Sequence, residues 1–304
     1  MRWRGNRQSS NIEDRRGMRA SRMGGLGRGG GGILRLLPVA FKFLGVKGTL
    51  IVAALVLGYG FFTGNLSQIL GGGSFQANQT STGPVKQSAE EKELVQFMSV
   101  VLADTEDTWN RLFQKQGDKY KEPRLVLFRE SVQSGCGFGS AQMGPFYCPL
   151  DQKVYIDLSF YDDLKKRYKA PGDFAQAYVV AHEIGHHVQT LTGISKKVRE
   201  AKKGLSEVKA NRLSVMQELQ ADCFAGIWAH HADRSRQILE AGDIEEALSA
   251  ASAIGDDRLQ KQSRGYVTPD SFTHGSSKQR VKWFKTGLAK GTLKACDTFS
   301  AKTL

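Results

Sequence analysis

Residues 178–190 read YVVAHEIGHHVQT, and no other stretch restricts the fold as tightly. On a helix, His182 and His186 differ by about 40° of rotation, so both imidazoles leave the same side and can share one ion. Glu183 lies about 100° round from His182, within reach of a water held there but off the ligand position. This is the HExxH arrangement of two zinc ligands and a general base. It requires residues 178–190 to be helical. It also requires a later segment to return past them, because catalytic zinc takes three protein ligands and keeps one position open. Gly185 lets a bulky neighbour approach that helix closely.

The returning segment is QELQAD, Gln217 to Asp222. Glu218 follows His186 by 32 residues (218 minus 186), enough for one helix to finish and a second to come back. Asp222 lies one turn further on the same face, where a carboxylate can accept the second ring N–H of a ligand histidine and fix its orientation. Leu219, Ala221, Cys223, Phe224 and Trp228 surround these acids, and carboxylates in apolar company need a partner. His187 is rotated off the ligand face and is assigned a role behind the ligands or at the surface. His230 and His231 are read as exposed or packing residues. His274 precedes a helix bearing Arg280, and either could stabilise the oxyanion of a tetrahedral intermediate.

The net charge of +13 is unevenly placed. Residues 1–47 carry eleven Lys/Arg against Glu13 and Asp14, which leaves +4 for the rest. The main domain is therefore close to neutral, and no nucleic-acid partner is expected for it. Residues 1–45 read as a disordered basic Gly/Arg-rich tail. Residues 46–66 are apolar with Lys47 at the edge, about long enough for one membrane-spanning helix. The basic flank would place the N-terminus in the cytoplasm and the domain outside it, as a single-pass protein of a bacterial inner membrane with its domain in the periplasm. Residues 67–87 read as a polar linker, and 88–304 as the folded domain.

That domain opens on SAEE, a capping box at Ser88 and Glu91, followed by apolar residues at helical spacing from Leu94 to Leu112. Strand-like runs cover Arg124 to Arg129 and Val154 to Phe160. The Gly-rich loop between them holds Cys136 and Cys148. From Asp173 onward the chain reads as helical, with Gly193 ending the first helix. Outside the cytoplasm, Cys136 and Cys148 can bridge across the loop, and Cys223 with Cys296 can staple the C-terminal tail to the site helix. Thiol ligation of zinc is the competing reading, and no CxxC spacing supports it.

HEIGHHVQ and ELQADCFAG, with MRWRGNRQSSNIEDRRG and GPFYCPLDQKVYIDLSF, resemble the neutral zinc metallopeptidases of bacteria over nearly the whole chain. Glu218 followed by Asp222 is similar to the third ligand and its companion in gluzincins such as thermolysin. His274 with Arg280 resembles the His-x5-Arg tail of membrane-associated gluzincins, although Gly275 stands where a proline is usual. The resemblance implies an α+β fold, mainly helical, with a small gluzincin core and a short sheet, expected here to be antiparallel. The combined expectation is a membrane-anchored endopeptidase with one Zn2+ per chain, bound by His182, His186 and Glu218. A water on that zinc would be activated by Glu183 against a peptide or protein substrate lying along an edge strand. The alternatives are a non-catalytic zinc-binding scaffold and an amidase of cell-wall peptides.

Overall fold

The computed structural model describes residues 1–19, 80–81, 85 and 87–304. Met1–Arg19 and Ser81–Leu304 form one compact unit, and Ala20–Thr80 a second. All of the second except Thr80 lies outside the described residues. So do the expected membrane helix at 46–66 and most of the linker. Among the described residues no helix is long and apolar enough to cross a membrane.

Helix α1 (Ala89–Lys115) starts where the sequence places it: Ser88 caps it by accepting from the Glu91 amide at 3.2 Å. The other half of the expected capping box is missing, because the Glu91 carboxylate turns to Arg16 at 2.9 Å and Arg129 at 2.7 Å. The apolar stripe of α1 buries Met98, Val101, Leu102 and Trp109 completely. Trp109 meets Phe224 edge-on at 5.7 Å, and Asp104 accepts from the indole of Trp228 at 2.7 Å. Truncating Trp228, itself fully buried, to Ala would cost about 3–5 kcal/mol.

The sheet is mixed, a correction to the antiparallel expectation. Its strands are β1 (Ile12–Asp14), β2 (Arg124–Phe128), β5 (Phe146–Cys148) and β6 (Lys153–Asp157), in the order β1-β2-β6-β5. β1 and β6 both run parallel to β2, and only β5 is antiparallel, to β6. The Cys-bearing loop causes this: it folds into its own hairpin, β3 (Ser131–Ser134) with β4 (Gly137–Ser140), and then lays β5 along the edge. The second expected strand stops at Asp157, whose carboxylate caps the Ser159 amide at 2.9 Å and starts α2 (Ser159–Lys166).

The second correction concerns the basic N-terminal segment. Residues 1–18, expected to be disordered, are ordered against the domain. Ile12, Glu13 and Asp14 pair in register with Leu125, Val126 and Leu127. Trp3, 5% exposed, packs on Phe97 at 5.3 Å. The charges meet acids of the domain and of the segment itself: Arg7 bonds Glu106 and Asp107, Arg16 bonds Asp14 and Glu91, and Glu13 bonds Lys153.

The helices that carry the expected site are α3 (Asp173–Leu191), α4 (Ile194–Lys202), α5 (Glu207–Arg236), α6 (Asp243–Ala253), α7 (Asp256–Arg264) and α8 (Ser277–Lys290). Gly193, in the left-handed conformation at φ 77, turns the chain after α3. α3 and α5 touch at Gly185, where an added Cβ would lie 2.9 Å from the Ala221 carbonyl oxygen. Gly185 is thus small to let α5 come near.

Candidate metal centre

This close approach brings the predicted residues together. The Nε2 of His182 lies 3.2 Å from one Glu218 oxygen, and the Nε2 of His186 lies 3.4 Å from the other. The three ligand atoms all lie within 4.8 Å of one another. One nitrogen from each of two imidazoles plus a carboxylate is a donor set that suits zinc. The three residues line an open cleft of about 780 Å³, whose walls include Phe146 and Tyr147 of edge strand β5. Glu183 lines the same cleft and is 8% exposed, and no described residue hydrogen-bonds its carboxylate.

Each histidine is oriented through its other nitrogen. His182 Nδ1 donates to Asp222 at 2.8 Å. Asp222, fully buried, also accepts from the Tyr178 hydroxyl. Arg280 clamps both Asp222 oxygens from two nitrogens, each at 2.9 Å. His186 Nδ1 donates to the Gln189 amide oxygen at 2.9 Å. Gln189 passes the chain on to the Gln217 carbonyl and the Gln220 side chain, and Gln220 donates to the carbonyl of Cys296 at 2.9 Å.

The electrostatics follow from these contacts. Burial works against charge on His182, but Asp222 and Glu218 override it and push its pKa up to about 10. His186 is raised in the same way, burial being outweighed by Glu218. Burial opposes ionisation of Asp222, yet Arg280 and His182 hold its carboxyl down at about 2. Glu218 is held well below the usual carboxylate range by the two imidazoles despite its burial. In the metal-free site His182 therefore holds a proton that an ion would have to displace.

Arg280 borders the cleft together with His274, but its guanidinium is turned to other partners. It is 2% exposed, committed to Asp222, and also donates to the Ile254 carbonyl and Tyr178 hydroxyl. It positions the partner of His182. His274 does line the cleft. Its Nδ1 lies 3.2 Å from Asp256, whose hydrogen bond raises the His274 pKa. Asp256 also gathers the amides of Thr273, His274 and Gly275 within 3.0 Å, which shapes the loop. Gly275 has φ 92, which proline cannot adopt, so the turn after His274 differs from a His-Pro turn.

His187 is fully buried rather than at the surface. It donates from Nε2 to the Lys121 carbonyl at 2.6 Å and accepts the Tyr147 hydroxyl on Nδ1 at 3.0 Å. Burial lowers its pKa to about 4, which keeps it neutral for that exchange. It ties β5 to α3 and so holds the edge strand beside the cleft. His230 and His231 are packing residues that donate to the Leu288 and Gly291 carbonyls at the end of α8. Both expected cysteine pairs are disulfides, Cys136–Cys148 with Cα atoms 5.7 Å apart and Cys223–Cys296 at 5.6 Å.

Sequence reasoning missed Gln189, Gln220, Tyr178 and Asp256. Gln189 lies three residues after His186, on the same helical face, a signal that could have found it. Asp256 is separated from His274 by 18 residues of turn and helix, and no local pattern links them.

The family described as "Putative neutral zinc metallopeptidase" matches residues 1–299. The chain belongs to that family. The match includes the ordered N-terminal segment as well as the metal centre. The Escherichia coli K12 protein YpfJ, described as uncharacterized, is 50% identical over 299 residues, covering 98% of this chain and 99% of its own. The uncharacterized protein Rv2575 of Mycobacterium tuberculosis H37Rv is 40% identical over 241 residues, covering 76% of this chain and 78% of its own. No solved structure matches the chain. Family membership implies zinc, and the three-donor set in the cleft fits it.

Proposed function

We propose that the chain is a zinc-dependent endopeptidase. The observation that carries this reading is the convergence of His182, His186 and Glu218 at an open cleft where Glu183 keeps an unpaired carboxylate. His182, His186 and Glu218 would hold the metal. Bound zinc supplies Lewis-acid polarisation and lowers the pKa of a coordinated water to about 7. Glu183 takes the proton from the attacking water and returns it to the leaving amine. His274, held through Nδ1 by Asp256, offers its Nε2–H to the oxygen of the attacked carbonyl. The extended peptide lies along the free edge of β5, where backbone amides and carbonyls are available to pair.

Three protein donors, with no fourth among the described residues, support turnover over a closed structural site, because structural zinc is held by four. The two disulfides support placing the folded unit in an oxidising compartment.

The test measures metal content and cleavage of a mixed peptide digest with the full-length chain, because residues 1–18 belong to the fold. One zinc per chain is expected, with cleavage lost but zinc kept in Glu183→Gln, and zinc lost in Glu218→Ala. Normal cleavage by Glu183→Gln would overturn the mechanism. Zinc binding with no cleavage of peptides or cell-wall peptides would favour the scaffold.

A further inference from the structure

The cleft has a basic wall that the proposed mechanism does not use. Helix α4 is amphipathic, and Ser195, Arg199 and Lys202 stand at i, i+4 and i+7, which on a helix is one face. All three line the cleft, opposite Ser214 and Gln217 of α5. The outward face of the same helix carries Glu200, paired there with Lys203. The cleft-facing cations have no such neutralisation. Lys202 is half-buried, and its ammonium donates to the Ser214 hydroxyl at 2.7 Å. No described carboxylate forms an ion pair with Lys202 or Arg199. The acids lining the cleft are Asp163, Glu183 and Glu218. Asp163 belongs to α2, and Glu183 and Glu218 are assigned to the reaction. A metal on Glu218 would take up that carboxylate's charge and leave the wall with its two cations unmatched. Ser195, bonded to Thr190 and Gln217, and Ser214 add hydroxyls beside them.

An ammonium held by Ser214 and an exposed guanidinium on the same helical face, with hydroxyls alongside and no described carboxylate ion-paired to either, form a receptor for a carboxylate. We propose that Lys202, assisted by Arg199 and Ser214, forms a specificity subsite for a carboxylate of the peptide substrate. This rests on the endopeptidase reading above. The carboxylate is that of a Glu or Asp side chain or of a chain end. Lys202 would not touch the reacting atoms; it would select which bond is brought to them.

The test uses the zinc-loaded full-length chain and a peptide library read by mass spectrometry. Wild-type cleavage should be enriched for Glu or Asp at one fixed position relative to the cut. A matched peptide with Gln at that position should fall about tenfold or more in kcat/KM, the effect of one charged hydrogen bond. Lys202→Met should erase this difference, and Lys202→Glu should turn the preference toward Lys or Arg at the same position, both with zinc content kept. Matched peptides with free and amidated C-termini separate the two sources: loss on amidation assigns the subsite to a terminal carboxylate, and indifference assigns it to a side chain. Cleavage without charge preference, or unchanged preference in both variants, would overturn the subsite while leaving the peptidase reading standing. Zinc binding without cleavage by wild type would overturn both.

Discussion

The two histidines of the metal centre are held by opposite chemistries. His182 leans on charge, a fully buried Asp222 clamped by Arg280 and touched by Tyr178. His186 leans on neutral amides, a relay from Gln189 to Gln220 that ends on the Cys296 carbonyl. Both arrangements fix a ring, but they respond differently to change. A buried ion pair is costly to assemble and much more costly to break on one side, whereas a neutral hydrogen bond is worth little beyond its geometry. The charged side sets the basicity of the site and the neutral side only aims a ligand.

The largest effect should come from Arg280→Met, which strands the buried Asp222 carboxylate. A loss of about 3–5 kcal/mol in the metal-free protein is expected, measured by urea unfolding. If Arg280→Met is no less stable than Gln189→Ala, the contrast between the two sides fails. Next is Asp222→Asn, which should weaken zinc binding by about 10–100-fold in a chelator competition. The pH dependence sharpens the comparison. The His182 pKa is raised to about 10 from 6.5, so its contribution to metal-free stability is complete below 6.5 and is lost as pH rises through about 10. Zinc has to displace that proton, so its apparent affinity should rise by about tenfold per pH unit across pH 7–9, with proton release visible by calorimetry in buffers of different ionisation enthalpy. Asp222→Asn should flatten the slope, and Gln189→Ala should leave it intact. The smallest effect is Gln189→Ala itself, with an expected loss in zinc affinity of about fivefold, near 1 kcal/mol.

The same contrast shows what was legible in the sequence. His182, His186, Glu218 and Asp222 were readable because helical phase fixes which side chains share a face, and charged residues among apolar ones demand partners. Gln189 and Gln220 carry no such demand and passed unnoticed. Arg280 was found, but spacing only placed it near His274, and it is the folded structure that shows its guanidinium committed to Asp222. The strands were found by composition, but their direction was not. The parallel pairing of Ile12–Asp14 with Leu125–Leu127 joins residues more than a hundred positions apart, and no local signal records it. The Gly/Arg-rich composition of residues 1–45 was averaged over a segment whose first part is ordered, with Arg7, Arg15 and Arg16 matched by acids.

Strand β1 also decides what the basic start of the chain belongs to. Its hydrogen bonds to β2 hold residues before position 20 and residues after position 87 in one folded body. The basic start of the chain and the metal centre are therefore parts of one folded body. The arginines that were counted toward a cytoplasmic flank include Arg7, Arg15 and Arg16, whose charges are spent inside the folded unit. They lie on the same side as the metal centre, wherever that side is.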